Sequence, residues 1–580
     1  MTEVEGGLDE PTEFEPAQGT LALAAPEDVH TRTDWERSSA AVLRKARRMR
    51  DDDPDDLVWQ KLTRTTLDGI EVAPLGTPDL LDALATTGRP TRQGDWDIRS
   101  QLSVLDVRTA HDQALVDLEG GVTSLWLTLG GVDDLDTLLE GVLLDLAPVV
   151  LESRTDPLAA ARAYLDHVGS TVPAPGTNLG VDGQAPDDVL LAAAALARGA
   201  GVLGVVVDAT VVHDQGASDA QELAHALAVG TRVLRVLTAD GTSVDAAADL
   251  VEFRFAVTDE QFAQIAKLRA ARRLWARVLE LSGASPQRWT RQRQHAVTSR
   301  AMMSAYDPQV NMVRTTVAAF AAGVGGADAV TVLPFDSPLG LPDVLGRRVA
   351  RNTSALLISE AHLARVADPA GGSYAVEKLT DDLARVAWGL FGRIEDGEPL
   401  DEAIASTRAR REEQVARRTR PITGLTEFPD LAQDLPRREP DPLAPQVRRY
   451  GASFEALRAE PAEAPVFLAT LGPVAAHTAR ATFATNLFAA GGVAVDAAGA
   501  TADVGELLAA HESAGRHAVV CLAGSDAAYA EWGAAAAEGL RAAGATHVVV
   551  AGGPTDFSDD SCATGIDALD FLTRTREKLT

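Results

Sequence analysis

The sequence predicts an α/β protein in two parts, a (β/α)8 TIM barrel followed by a small flavodoxin-like domain, and three observations carry that prediction. From about Asp95 onward, short apolar runs alternate with helical patterns at roughly 30–45-residue spacing, the rhythm of strand–helix units. The runs are almost continuously apolar rather than alternating, as in parallel strands covered on both faces. That rhythm breaks up between about Arg410 and Pro465, where Pro421, Pro429, Pro436 and Pro445 punctuate a polar segment, and it resumes afterwards with Ala-rich helices.

In chain order, residues 1–30 are acidic, rich in Pro and Gly and poor in large apolar side chains, which predicts disorder. Residues 31–94 read as an N-terminal helix and an extended arm. The helix runs from about Thr33 to Arg50 and is terminated by the run Asp51-Asp52-Asp53-Pro54-Asp55-Asp56; Lys61 to Pro74 reads as extended chain. Residues 95–410 form the barrel. Its clearest strands are Ser124–Leu129, Pro148–Leu151, Val202–Asp208, Val251–Ala256 and Ala329–Leu333, with helices at Asp187–Ala200, Ala220–Val229 and Asp259–Ser282. Closure into eight strands suits a segment of this length. Residues 411–464 read as a Pro-rich linker. Residues 465–580 form the second domain, with strands at Val466–Thr470, Gly492–Asp496, Ala518–Leu522 and His547–Ala551.

Composition narrows function. Of 580 residues, 46% are hydrophobic and 24% charged, enough apolar material for large cores. With 53 Lys and Arg against 84 Asp and Glu, the net charge of −31 opposes binding to nucleic acid or anionic membrane. Cys521 and Cys562 cannot form a disulfide framework in so long a chain, which fits a reducing cytoplasm, and neither a signal peptide nor an apolar run of about 18 residues is evident. Phosphate-loop, His-Glu-x-x-His and zinc-spacing motifs are absent, and no local signature assembles a Ser/His/Asp triad.

Five segments, in this order and spacing, carry a resemblance: Ala266-Lys267-Leu268-Arg269-Ala270-Ala271-Arg272-Arg273-Leu274-Trp275, Asp307-Pro308-Gln309-Val310-Asn311-Met312-Val313-Arg314-Thr315-Thr316, Arg351-Asn352-Thr353, Asp368-Pro369-Ala370-Gly371-Gly372-Ser373-Tyr374 and Arg420-Pro421-Ile422-Thr423-Gly424. Over roughly residues 30 to 580 the chain resembles the adenosylcobalamin-dependent methylmalonyl-CoA mutase family. The resemblance implies a barrel that admits an acyl-CoA along its axis and a C-terminal domain that holds the corrinoid over one barrel end. It also implies an Asp-x-His-x-x-Gly loop whose histidine takes the cobalt, whose Asp fixes the imidazole tautomer and whose glycine lets the backbone pass close to the cofactor tail.

Two departures from that pattern are visible. In the loop Leu471-Gly472-Pro473-Val474-Ala475-Ala476-His477-Thr478-Ala479, Val474, Ala476 and Ala479 stand at the Asp, His and Gly positions, and His477, one residue late, reads as a surface or capping histidine. In the barrel, Thr210 and Val211 replace the family's substrate-contacting Tyr and His, and neither side chain supplies a ring or a proton. His213 beside Asp214 reads as a surface pair. His295 matches a family histidine that polarises the thioester, but Val297 and Arg300 replace its neighbours; it reads as a relic in the core, with Arg300 filling the mouth. The resemblance with these losses therefore implies a degenerate site with no catalytic, cofactor-binding or metal-binding residue on this chain. It implies a small, non-catalytic subunit in a heterodimer with a homologous large subunit, which binds adenosylcobalamin and acyl-CoA. Alternative readings are an active acyl-CoA mutase with atypical cobalamin ligation and a mutase-associated scaffold.

Overall fold

The computed structural model describes residues 29–82, 84, 92–131 and 134–579, so the expectation for residues 1–30 falls almost wholly outside them. The chain divides into two compact units, one ending at Gly76 and one beginning at Thr77.

In the first unit the helix Arg32–Lys45 opens with a capping box, Thr31 Oγ1 accepting from the Asp34 N–H while the Asp34 carboxylate accepts from Thr31. It stops five residues short of Arg50. Arg47 takes a left-handed φ of 56°, and the Arg48 and Met49 N–H groups both turn back to the Leu43 carbonyl. Arg44 reaches Asp55 at 2.8 Å, and Trp35 packs on Trp59 at 4.6 Å between ring centres. The arm expected to be extended is instead a small antiparallel hairpin, β1 (Arg64–Thr65) and β2 (Glu71–Val72). Its turn is made by Thr66, whose Oγ1 accepts from the Asp68 and Ile70 N–H groups, and by Gly69 at φ 77°.

The second unit contains the closed parallel barrel. Its strands are β3 (Asp97–Val104), β4 (Ser124–Leu129), β5 (Val149–Ser153), β6 (Asn178–Asp182), β7 (Leu203–Asp208), β8 (Val251–Val257), β9 (Arg293–Thr298) and β10 (Ala329–Thr331), with β10 returning to β3. The five strands named from apolar runs are present within two residues. An apolar-run reading passes over β3, β6 and β9, because their inward positions carry ions and amides such as Arg99, Asn178 and Arg293.

Strand alternation explains this. On β8, Phe253 faces outward and meets Trp275 of the helix Gln261–Leu281 at 4.7 Å, whereas Glu252 and Arg254 face the axis. The helix Asp219–Ala239 runs ten residues beyond the expected Val229, and Gly230 in its middle lets it lie flat, since a Cβ there would stand 2.9 Å from both Phe253 and Trp275.

The segments that carried the family resemblance are the braces of this scaffold. Arg269 grips Asp368 with two hydrogen bonds of 2.8 Å and Glu377 with one of 2.7 Å. Asn311 accepts from the Ser304 N–H and donates to the Ser304 and Phe335 carbonyls, and Arg314 joins Asn311 to the Thr423 carbonyl.

A five-stranded parallel sheet follows: β11 (Val466–Thr470), β12 (Val495–Ala497), β13 (Val519–Ala523), β14 (His547–Ala551) and β15 (Asp560–Cys562), in the order β12-β11-β13-β14-β15. That is the flavodoxin-like order, with its switch point between β11 and β13. Of residues 411–464, Val415, Leu425 and Phe454 belong to one core of this sheet. Residues 438–451 cross the carboxyl end of the barrel as a strap. The Ser103 hydroxyl donates to Asp441 (2.6 Å), Arg154 to the Leu443 carbonyl (3.0 Å), and the N–H groups of Leu341, Arg448 and Tyr450 pair with Glu439, Asp214 and Ala301.

Candidate functional site

In a barrel of this kind, chemistry is expected where the strands end at their carboxyl face. Here the barrel axis leading to that face is filled. Arg254 extends from β8 across the axis, 2.8 Å from Asp208, 3.2 Å from Glu152 and 3.9 Å over the Trp126 ring. Trp126 donates its indole N–H to Glu152 at 2.8 Å and meets His295 edge-on at 5.3 Å. One layer below, Arg99 and Arg293 clamp the fully buried Glu252 at 2.8 and 3.0 Å, and Arg293 also reaches Asp97 at 3.0 Å.

Charge sets the protonation states. Burial by itself raises the Asp208 carboxyl, but attraction to Arg254 with hydrogen bonds from Thr210 and Arg254 outweighs it and leaves the group below its ordinary value. Glu252 is likewise held low, because Arg99 and Arg293 together overcome the penalty of burial. His295 goes the other way. Burial, then the fields of Arg99 and Arg254, push it well below the usual imidazole range, so it is neutral. Arg254 donates into its Nδ1 at 3.2 Å, which puts the proton on Nε2, 2.8 Å from the Thr331 hydroxyl. Both ring nitrogens are thus committed to the core.

The other singled-out barrel residues are also built in. Thr210 is buried and donates to Asp208 at 2.6 Å; Val211 packs against the cluster of Val212, Ala217 and Ile404. His213 and Asp214, expected at the surface, are 3% and 1% exposed. Two elements draw them in. His213 Nε2 meets the Ser299 hydroxyl at 2.7 Å and its Nδ1 lies 3.5 Å from Glu222, while Arg300 reaches Asp214 at 3.4 Å.

Ser299, His213 and Glu222 therefore stand in triad order, brought together from three chain regions with no local signature. The arrangement is structural. Ser299 is 1% exposed and its Oγ also accepts the Met302 N–H, while Glu222 holds the buried Lys267 at 2.9 Å and the Ala256 N–H at 2.7 Å. Burial alone would lower Lys267, but Asp219 and Glu222 raise it above its ordinary value and keep it charged. Arg300 does line the mouth, as expected, between Asp214 and Gln101.

At the carboxyl edge of the second sheet, Gly472 takes φ 83° and Val474 opens the helix Val474–Ala490 in an exposed position. His477, expected at the surface or in a capping role, is 7% exposed and turns its Nδ1 to the Gly472 carbonyl at 3.1 Å, closing the loop on itself. Arg480 lies across the groove beyond it: it donates to the Gly524 carbonyl (2.7 Å) and Asp526 (2.5 Å), covers Tyr529 at 4.9 Å and passes 3.5 Å from where a Cβ on Gly552 would stand.

At this edge Ala476 carries no metal-ligating atom, His477 faces inward, and the Arg480 guanidinium lies between the Gly472 and Gly552 turns. Among the described residues no group of three or more His, Cys, Asp or Glu is placed to hold a metal ion, and no helix is long and apolar enough to cross a membrane. Sequence reasoning passed over Arg254, Trp126 and Arg480. Only Glu252-Phe253-Arg254-Phe255 left a trace, a charged and aromatic alternation inside a strand.

The fold and site define a two-domain α/β protein, a TIM-like barrel with a side-chain-filled axis joined to a five-stranded parallel sheet. A family model described as methylmalonyl-CoA mutase matches residues 200–516. The chain is 44% identical to the methylmalonyl-CoA mutase small subunit of Streptomyces virginiae, covering 96% of this chain and 98% of that one. It is 34% identical to the small subunit from Propionibacterium freudenreichii subsp. shermanii, covering 97% and 96%. A methylmalonyl-CoA mutase of Cereibacter sphaeroides is 35% identical over 53% of this chain and 44% of its own. The chain belongs to the methylmalonyl-CoA mutase family, and the two relatives above that it matches over nearly their whole length are small subunits.

Proposed function

We propose that this chain is the non-catalytic small subunit of a heterodimeric methylmalonyl-CoA mutase. A homologous large subunit binds adenosylcobalamin and acyl-CoA and interconverts methylmalonyl-CoA and succinyl-CoA, and this chain stabilises it. The observation that carries the reading is the barrel axis: Arg254, Trp126 and His295 occupy with bonded side chains the channel that the family uses for its acyl-CoA. The Val474, Ala476 and Ala479 loop supports it independently. Chemistry by a cofactor needs a protein that positions it and excludes water around it. This chain keeps the barrel that would enclose and has lost the groups that would position.

Retaining the whole fold without its site is explained by association, since obligate interfaces bury on the order of 2,000 Å² or more. Val313, Leu345 and Leu356, on the barrel helices Val310–Val324 and Val344–Ser359, stand exposed as apolar surface for such a contact. The test is expression of this chain alone and together with the large subunit. Alone it shows no corrinoid absorption and no turnover; the one-to-one complex shows both. Tight adenosylcobalamin binding by the isolated chain sinks the reading.

A further inference from the structure

The amino-terminal rim of the barrel carries three exposed aliphatic side chains on two adjoining loops, Leu143 (61% exposed) and Leu146 (70%) ahead of β5 and Val172 (79%) ahead of β6. They are held outward. Val142 and Leu144 are buried and anchor the first loop, and the Leu143 carbonyl accepts from the Leu146 and Ala147 N–H groups at 3.0 and 2.8 Å, closing it as a turn. The Ala174 N–H joins the second loop to the Leu144 carbonyl at 2.8 Å, and Pro173 and Pro175 stiffen the chain on either side of that bond. Apolar side chains clustered on a fixed backbone and left in water gain nothing within this chain, and such a cluster marks a surface for another molecule.

Charge selects the partner. Residues 112–148 contain eight carboxylates and no lysine or arginine. Asp117 is neutralised by Arg347 and Arg351, and Asp136 meets His167 at 2.6 Å, but Glu119, Glu140 and Asp145 stand exposed, as does Asp166 on the helix Pro157–Val168. Arg162 and Arg198 are the arginines of the two helices that follow β5 and β6, and Arg293, next to Gly176, is already held by Glu252 and Asp97. Four carboxylates against two guanidinium groups leave an apolar knob in a negative rim. A second copy would bring like charge against like, and an anionic membrane is repelled in the same way, whereas a basic surface with an apolar recess is complementary.

We propose that this rim is gripped by the large subunit of the mutase, through a basic segment of that chain that closes an apolar recess over Leu143, Leu146 and Val172. The proposal rests on the heterodimer proposed above and adds the surface and its chemistry. In such a contact the aliphatic knob supplies the short-range part, so truncating it speeds dissociation, while the carboxylates around it steer the encounter and set the association rate.

Surface plasmon resonance of the full-length chain against the purified large subunit, at low and at high salt, tests this. Leu143→Ser with Leu146→Ser is expected to weaken binding about thirtyfold through the dissociation rate, and Glu140→Lys with Asp145→Lys about tenfold through the association rate, with a flatter salt dependence. Leu281→Ser, 60% exposed on the opposite side of the same rim, changes neither rate. All these positions are exposed, so each variant keeps the circular dichroism spectrum of the parent. A complex whose affinity stays within about threefold in either double variant overturns this surface and leaves the heterodimer standing; no complex with the unaltered chain overturns both. Self-association of the isolated chain, or its capture by phosphatidylglycerol vesicles, that is lost in Leu143→Ser with Leu146→Ser assigns the rim to a second copy or to a membrane and likewise overturns the proposal.

Discussion

On the proposed function, the barrel axis and the carboxyl edge of the second sheet have departed from a ligand-holding design by opposite routes. The axis has been filled: Arg254, Trp126, Arg99 and Glu252 form a bonded network where a ligand would lie. The sheet edge has been emptied, with Val474, Ala476 and Ala479 in place of a ligand-bearing loop and one arginine laid across what remains. The difference follows from solvent exposure. An enclosed channel cannot be left void without losing contacts on all sides, so large paired side chains replace the ligand. A loop at the surface suffers no such loss, and shortening its side chains costs little.

Breaking the axis network has the largest expected effect. Glu252→Ala leaves Arg99 and Arg293 facing each other in a buried site and lowers stability by roughly 3–5 kcal/mol, read as a fall in urea midpoint at constant slope. A loss below about 1 kcal/mol would mean that the axis is wetter than the geometry indicates.

The second prediction concerns pH. His295 is neutral in the fold and its folded pKa lies below its unfolded value, so the unfolded chain binds the extra proton as pH falls through about 6.5, and stability falls with it. Between pH 7.5 and 5.5 this residue accounts for about 1 kcal/mol of lost stability. His295→Gln, which keeps one donor and one acceptor, flattens that part of the profile; an identical slope in both proteins refutes the assignment.

The smallest effect belongs to the sheet edge. Arg480→Ala removes a half-exposed ion pair with Asp526 and changes stability by less than ~1 kcal/mol. A loss comparable to that of Glu252→Ala would erase the contrast between the two regions.

Legibility in the sequence followed the same division. Strands β4, β7 and β8 announced themselves as apolar runs, and the truncated loop was visible because each missing group sits at a fixed offset from Gly472. The filled axis was not visible, because its pairs join residues far apart in sequence: Arg99 with Glu252, separated by 153 positions, and Arg254 with Glu152, separated by 102. His213 was assigned to the surface for the same reason, since its partner Ser299 lies 86 positions away. The hairpin after Lys61 was missed because its turn is made by one threonine hydroxyl and one glycine rather than by an apolar pattern.

The strap carries a mechanical consequence. Its last bond to the barrel rim, from Tyr450 to Ala301, lies four residues before Phe454, which is already embedded beneath the second sheet. A hinge requires slack, and about one helical turn of bonded chain supplies none. The two halves therefore act as a single lever: a neighbour that grips either end moves the whole.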